Sequence, residues 1–265
     1  MTGDVAELAA RFSAVRAVQA AWRLLATALV MGSAVLLWLS MAQAHAQSSL
    51  PPLVQAGAVP APGWRVVGVP KQAMPFTRYN AALVEGRVAL RIEARASYAN
   101  LVHELQSAAP PRMLRWTWRV EQANPLADLQ TRAGDDSAAK VCLSFDLPLQ
   151  QVPLVERTLL RLARARSGEN LPAATLCWVW AGREAPGALI TNAYTGRVRY
   201  IVLRNAQDAT GVWLDESRDV AADFKRAFGQ ESATLPALSA VIVAGDADNT
   251  GATSIALVAD LRLEP

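Results

Sequence analysis

The chain has 265 residues, with 26 Lys and Arg against 23 Asp and Glu, for a formal net charge of +3. This near-neutral balance lacks the basic excess of a nucleic-acid-binding domain, so nucleic acid is not expected as a partner. Past the N-terminal segment there are one histidine, His103, and two separated cysteines, Cys142 and Cys177, which do not make a spaced zinc ligand set.

The chain begins as an export signal would. Arg11, Arg16 and Arg23 precede an uncharged apolar run, Leu24 to Met41, and the small-residue segment AQAHAQ follows, with Ala44 and Ala46 at the −3 and −1 positions of a peptidase site. Met1 to Ala46 is therefore expected to be a signal peptide, with the domain in the periplasm. The alternative is an uncleaved inner-membrane anchor facing the periplasm, the apolar run being nearly long enough to span a bilayer. Membrane contact is expected only through that segment. Cleavage removes three basic and two acidic residues (Asp4, Glu7), leaving a formal charge of +2. Residues 47–63, QSSLPPLVQAGAVPAPG, carry Pro, Ala and Ser without periodicity and are expected to be a flexible linker.

From Trp64 onward short alternating runs are punctuated by Gly, Pro, Asn and Asp, as in a sandwich or barrel. Expected strands are Trp64 to Val69, Val88 to Ala94, Asn100 to Leu105, Leu114 to Val120, Val141 to Phe145, Thr175 to Trp180, Val198 to Leu203, Trp213 to Val220, Leu238 to Ala244 and Thr253 to Leu263. Leu114, Trp116, Trp118 and Val120 share a parity and so one buried face. In Thr175 to Trp180 both faces are apolar, which marks a central strand. Pro153 to Ser167 has Leu154, Val155, Thr158, Leu159 and Leu162 at helical spacing, so a helix is inserted between two strands. Ala221 to Phe228 reads as a short helix stopped by Gly229. The expected fold is all-β with minor helices: an antiparallel two-sheet, jelly-roll-like sandwich over residues 64–265.

Taken in order, TRYN (Thr77 to Asn80), RASYANL (Arg95 to Leu101), LRWTWRV (Leu114 to Val120), GDDSAAKVCLSF (Gly134 to Phe145), WLDESRDVAADFKRAFG (Trp213 to Gly229) and AGDADNTGATSIALVADLRL (Ala244 to Leu263) resemble the bacterial domain-of-unknown-function family 3047. The resemblance covers nearly the whole domain. Lys140 stands where the family pattern favours arginine, which keeps a cation and gives up bidentate geometry. The resemblance implies an exported β-sandwich and brings no assigned activity.

The best chemical lead is Asp135 with Asp136, adjacent acids after Gly134 at the mouth of a strand. Adjacent carboxylates repel, and a cation, an arginine or a ligand hydroxyl between them would hold them together. The plain reading is a solvated turn. Asp246, Asp248 and Asn249 cluster in DADNTG, but the twelfth position of an EF-hand register falls on Leu257, so a hairpin turn is favoured over a calcium loop. Asp135, Asp136, Lys140, Asp246, Asp248 and Asn249 are thus the candidate ligand-binding residues, with no resident cofactor expected and calcium as the one ion to consider.

Cys142 and Cys177 permit one disulfide in an oxidising compartment, or remain two buried thiols. His103 has no nucleophile motif beside it. The tryptophans are expected in the core rather than as a sugar platform. Arg91, Arg95, Arg115, Arg119, Lys140 and Arg199 would make a basic face if strand parity is kept, against a plainer solvated face mixed with Glu93 and Glu121. Three functions follow: a non-catalytic binder of carbohydrate or another envelope component, an envelope polysaccharide hydrolase or lyase using the Asp135 and Asp136 region, and a structural envelope assembly factor. Two adjacent acids are a poor glycosidase pair, whose carboxyls stand about 5 to 10 Å apart.

Overall fold

A computed structural model describes residues 50–55 and 59–265. The expected signal, Met1 to Ala46, lies outside the described residues. Two sheets face each other. The larger has seven strands in the order β1 (Arg65–Val67), β4 (Asn100–Ala108), β11 (Leu238–Ala244), β6 (Ala139–Phe145), β7 (Ala174–Trp180), β9 (Val198–Arg204) and β8 (Leu189–Thr191). The smaller has five: β10 (Leu214–Asp219), β5 (Met113–Gln122), β12 (Thr253–Glu264), β3 (Arg87–Arg95) and β2 (Arg78–Val84). Neighbours are antiparallel except β7 and β9, which run parallel. The exception follows from β8, which leaves β7 to pair with the outer side of β9 and so lets β9 lie beside β7.

Alternation along the strands builds the core between the sheets. Leu114, Trp116, Trp118 and Val120 of β5 meet Val141, Leu143 and Phe145 of β6 and Leu176, Trp178 and Trp180 of β7. All four of these tryptophans are buried, with ring centroids 5.3 Å apart for Trp116 and Trp118, 6.0 Å for Trp116 and Trp178, and 5.7 Å for Trp118 and Trp180. Edge-to-face and tilted aromatic contacts of this kind add to the burial of large apolar surface. The indole N–H of Trp178 donates to Asp223 (2.7 Å), which also takes a two-pronged ion pair from Arg218. That contact pins helix α2 (Val220–Phe228), capped by Asp219 through Ala222 N–H (2.9 Å), against the sandwich edge.

The opposite parity of the seven-stranded sheet makes a second apolar cluster on its outer face, where Cys142, Cys177, Val179, Tyr200 and Val202 lie under Leu129, Ala181 and Ile190. Cys142 and Cys177 are directly opposed in the β6 and β7 register and are joined by a disulfide. Helix α1 (Leu154–Ser167) is inserted between these same two strands.

Two expectations are corrected, the linker and the hairpin turn, and two open points are decided, the direction of the α1 stripe and the character of the basic residues. Within the expected linker, residues 47–63, Leu53 and Ala61 are buried in the main core and Pro51 accepts from the Trp64 indole (3.1 Å), because their small apolar side chains find surface to cover at the sandwich edge. The DADNTG loop is not a hairpin turn, since β11 and β12 belong to different sheets and the loop crosses between them. The apolar stripe of α1 points outward: Leu160 is the helix's buried residue, while Leu154, Val155, Leu159 and Leu162 are exposed. The continuous basic face does not form. Arg91, Arg115 and Arg119 lie on the five-stranded sheet in ion pairs with Glu93, Glu121, Glu264 and Glu85, whereas Lys140 and Arg199 belong to the other sheet.

Candidate functional site

At one end of the seven-stranded sheet, the loop preceding β6 meets the crossover loop between β11 and β12. Glycines allow the approach. A Cβ on Gly134 would stand 2.8 Å from the Asp128 backbone nitrogen, and one on Gly245 would stand 2.6 Å from the Ala138 carbonyl oxygen. With both loops drawn against backbone, the acids that follow Gly134 and Gly245 face the same space.

Asp136 is fully buried and fully engaged. One carboxylate oxygen accepts from the Asn249 N–H and side-chain amide, each at 3.1 Å, and the other accepts from the Thr250 N–H (2.8 Å) and hydroxyl (2.6 Å). It is a clamp on the crossover loop, and the solvated turn expected of the Asp pair is absent here. Asp246 takes the reciprocal role, accepting from the Ser137 N–H (2.8 Å) and hydroxyl (3.2 Å) while its other oxygen is ion-paired with Lys140. Lys140 projects from β6 on the outer face, buried beneath the Tyr98 ring at 5.8 Å. Burial alone would strip its charge, but Asp246, with the Tyr200 and Tyr98 phenols, holds the ammonium well above the ordinary lysine range.

Asp135 differs from its neighbour. Asn192 donates to one of its oxygens (2.5 Å) and to the Tyr200 hydroxyl (2.7 Å). The other oxygen, Oδ1, is buried and has no hydrogen-bond partner among the described residues, and the same holds for Oδ1 of Asp248. Burial raises Asp135 to about 6 despite the lowering influence of Lys140, Tyr200 and Asn192. Asp248, half-buried, is raised to about 6 by the same loss of solvent and by the negative charges of Asp246 and Asp136. Tyr194 forms the rim: its ring is exposed and carries Arg132 at 5.3 Å, and its hydroxyl donates to Asn249 (2.7 Å) with the Arg132 carbonyl at 3.0 Å.

All six residues singled out in the sequence therefore meet at this sheet end. Asn192, Tyr194, Tyr200, Tyr98 and Ser137 carried no signal of their own. The first two lie in the loop between β8 and β9, and their role depends on a strand too short to read. A periodicity argument does assign Tyr200 to a strand, but nothing local tells which face it occupies. His103 lies elsewhere, with Nδ1 2.7 Å from the Gly63 carbonyl oxygen.

The sequence profile of a family described as "Protein of unknown function (DUF3047)" matches residues 62–262. No curated protein matches the chain. Among solved structures, an "Endoglucanase cel12A from Rhodothermus marinus" is similar at 17% identity and a TM-score of 0.37, over 76% of this chain and 91% of that one.

Proposed function

We propose a role from the site alone, since the chain belongs to the DUF3047 family of proteins of unknown function. The role is non-catalytic binding of a hydroxyl-rich ligand, an envelope carbohydrate, by an exported periplasmic sandwich. The observation that carries this reading is the buried, partnerless Oδ1 of Asp135, set beside the amides of Asn192 and Asn249 and the phenols of Tyr194 and Tyr200. A buried acceptor without a donor costs on the order of 1–3 kcal/mol, which a ligand hydroxyl would recover on binding. The exposed Tyr194 ring offers an apolar surface for a sugar ring at the rim.

Calcium fits the donor set poorly. Both oxygens of Asp136 are taken by N–H and O–H donors, Asp246 is neutralised by Lys140, and among the described residues no three His, Cys, Asp or Glu side chains converge as metal ligands. The ammonium already supplies the positive charge that the acids need.

A second reading is favoured by one observation: Asp135 and Asp248, on the two facing loops, each keep a buried Oδ1 without a hydrogen-bond partner among the described residues. Loss of solvent raises both to about 6, a range that suits a general acid or base for glycan cleavage. One experiment separates the two. Muropeptide-derived disaccharides and neutral hexose oligosaccharides are titrated into the protein by calorimetry, while product release is followed at pH 5 to 7. Binding without turnover, abolished in Asp135→Asn, is the expected result. Turnover lost in Asp135→Asn would establish the second reading, and equal binding by wild type and variant would remove Asp135 from the site.

A further inference from the structure

Helix α1 stands away from the candidate site in purpose and composition. Its inward side is self-sufficient: Leu160 enters the core, Arg157 donates to the carbonyls of Gln150 (2.8 Å) and Val152 (2.9 Å), Arg164 donates to that of Leu171 (2.9 Å), and Glu156 is ion-paired with Arg197 at 3.4 Å. The outward side, which an ordinary surface helix would make polar, is aliphatic. Leu154 and Val155 are 75% and 72% exposed, and Leu159 and Leu162 are 56% and 46% exposed. At 100° per residue these four fall within one arc of about 140°, with Thr158 and Ala165 between them, Arg161 just outside it beside Leu154, and Arg166 inside it, one turn C-terminal to Leu162.

We propose that the outer face of α1 is a docking surface for a lipid bilayer rich in anionic headgroups. Charge complementarity selects that occupant. Among the described residues Arg161 and Arg166 are in no ion pair, and the helix's own acid, Glu156, is turned inward and neutralised. An aliphatic strip with one free guanidinium group at its side and another at its C-terminal end suits a helix lying in the membrane interface, apolar side in the acyl boundary and cations reaching up to the phosphates. The helix carries no tryptophan or tyrosine, the aromatic types most enriched at protein–protein hot spots. Four aliphatic side chains give marginal attachment alone, so the arginines decide between membranes.

The test places an environment-sensitive fluorophore on the helix itself, so that the reading is independent of the N-terminal segment. In the full chain with its disulfide intact, Val155→Cys is labelled with a nitrobenzoxadiazole group, and Val88→Cys on the five-stranded sheet serves as control. Vesicles of phosphatidylcholine with 30% phosphatidylglycerol should blue-shift the label at 155 and leave that at 88 unmoved. Half-maximal response should need roughly thirtyfold less lipid than with phosphatidylcholine alone, since each of the two arginines contributes about fivefold. Adding Arg161→Glu and Arg166→Glu, both on the surface and harmless to folding, should remove that difference. No shift at 155 with anionic vesicles, or an equal shift with neutral ones, would overturn the proposal. A shift that grows with protein concentration in the absence of lipid would overturn it in favour of a second copy of the chain.

Discussion

Asp135 and Asp136 are neighbours in sequence and opposites in chemistry. Asp136 receives four hydrogen bonds, so its charge is satisfied in place of water. Asp135 is nearly as buried but has an oxygen left over, and its ionised form is the costly one. Because its folded-state value lies above that of an unfolded aspartate, the folded protein holds the proton more tightly. Stability associated with Asp135 is therefore present at low pH, declines as pH rises from about 4 through about 6, and is absent at neutral pH. Asp135→Asn, which keeps the shape without the charge, should raise stability by about 1–2 kcal/mol at pH 7.5 and change little near pH 4.5. Urea unfolding at the two pH values reads this directly. A variant less stable at pH 7.5 would mean that the carboxylate is a structural acceptor like Asp136. Asp248 keeps part of the same pH slope in the variant, because it is raised for the same reason. The sequence could nominate both acids, since only residue type and the preceding Gly134 were needed. It could not rank them, because the difference lies in donors supplied by Asn249 and Thr250, over a hundred residues away.

Among the elements, strands were legible where their alternation is strong and were missed where it is weak. β5 and β7 follow the parity of their tryptophans, and β12 the run from Thr253 to Leu263. β2, RYNAALV, went unread because Ala and Asn are poor strand formers and this edge strand leaves Leu83 exposed. β8 is three residues long and exists only because β9 offers it an edge. For α1 the sequence gives the periodicity correctly, but periodicity identifies a face without saying what covers it. The stripe turns outward here, and Arg157 and Arg164 find backbone carbonyls on the inner side. The bridge between β6 and β7 lies in the same region. It closes a loop of 35 residues that includes α1, so reduction should lower stability by about 3–4 kcal/mol on the chain-entropy account. Comparing denaturant midpoints with and without dithiothreitol tests this. An unchanged midpoint would show that the β6 and β7 pairing already restricts the unfolded chain.

At the scale of the whole molecule, the two sheets share a hidden dependence on one segment. β11 lies between β4 and β6 in the larger sheet, and β12 lies between β5 and β3 in the smaller. Both are interior strands, and they are consecutive in the chain. Removing residues 253–265 should therefore abolish cooperative unfolding rather than trim an edge, because β5 and β3 would each lose the neighbour that joins them. Circular dichroism of the shortened chain should show no sharp thermal transition; a sharp one would mean that β3 and β5 close the gap by pairing directly.

The same placement has a consequence in time. A chain made from its N-terminus onward can assemble the β2 and β3 hairpin and pair β6 with β7 early, yet the two halves of each sheet are joined only when β11 and β12 follow. Lys140 likewise waits for Asp246, and Asp136 for Thr250, so the acids and the ammonium stay in water until the crossover loop between β11 and β12 has been made. Partial chains expose unpaired strand edges and no completed site. Local pairings can thus form along the way, while the long-range joining of both sheets and the closing of the acidic cluster fall together in one step, when β11 and β12 take their places.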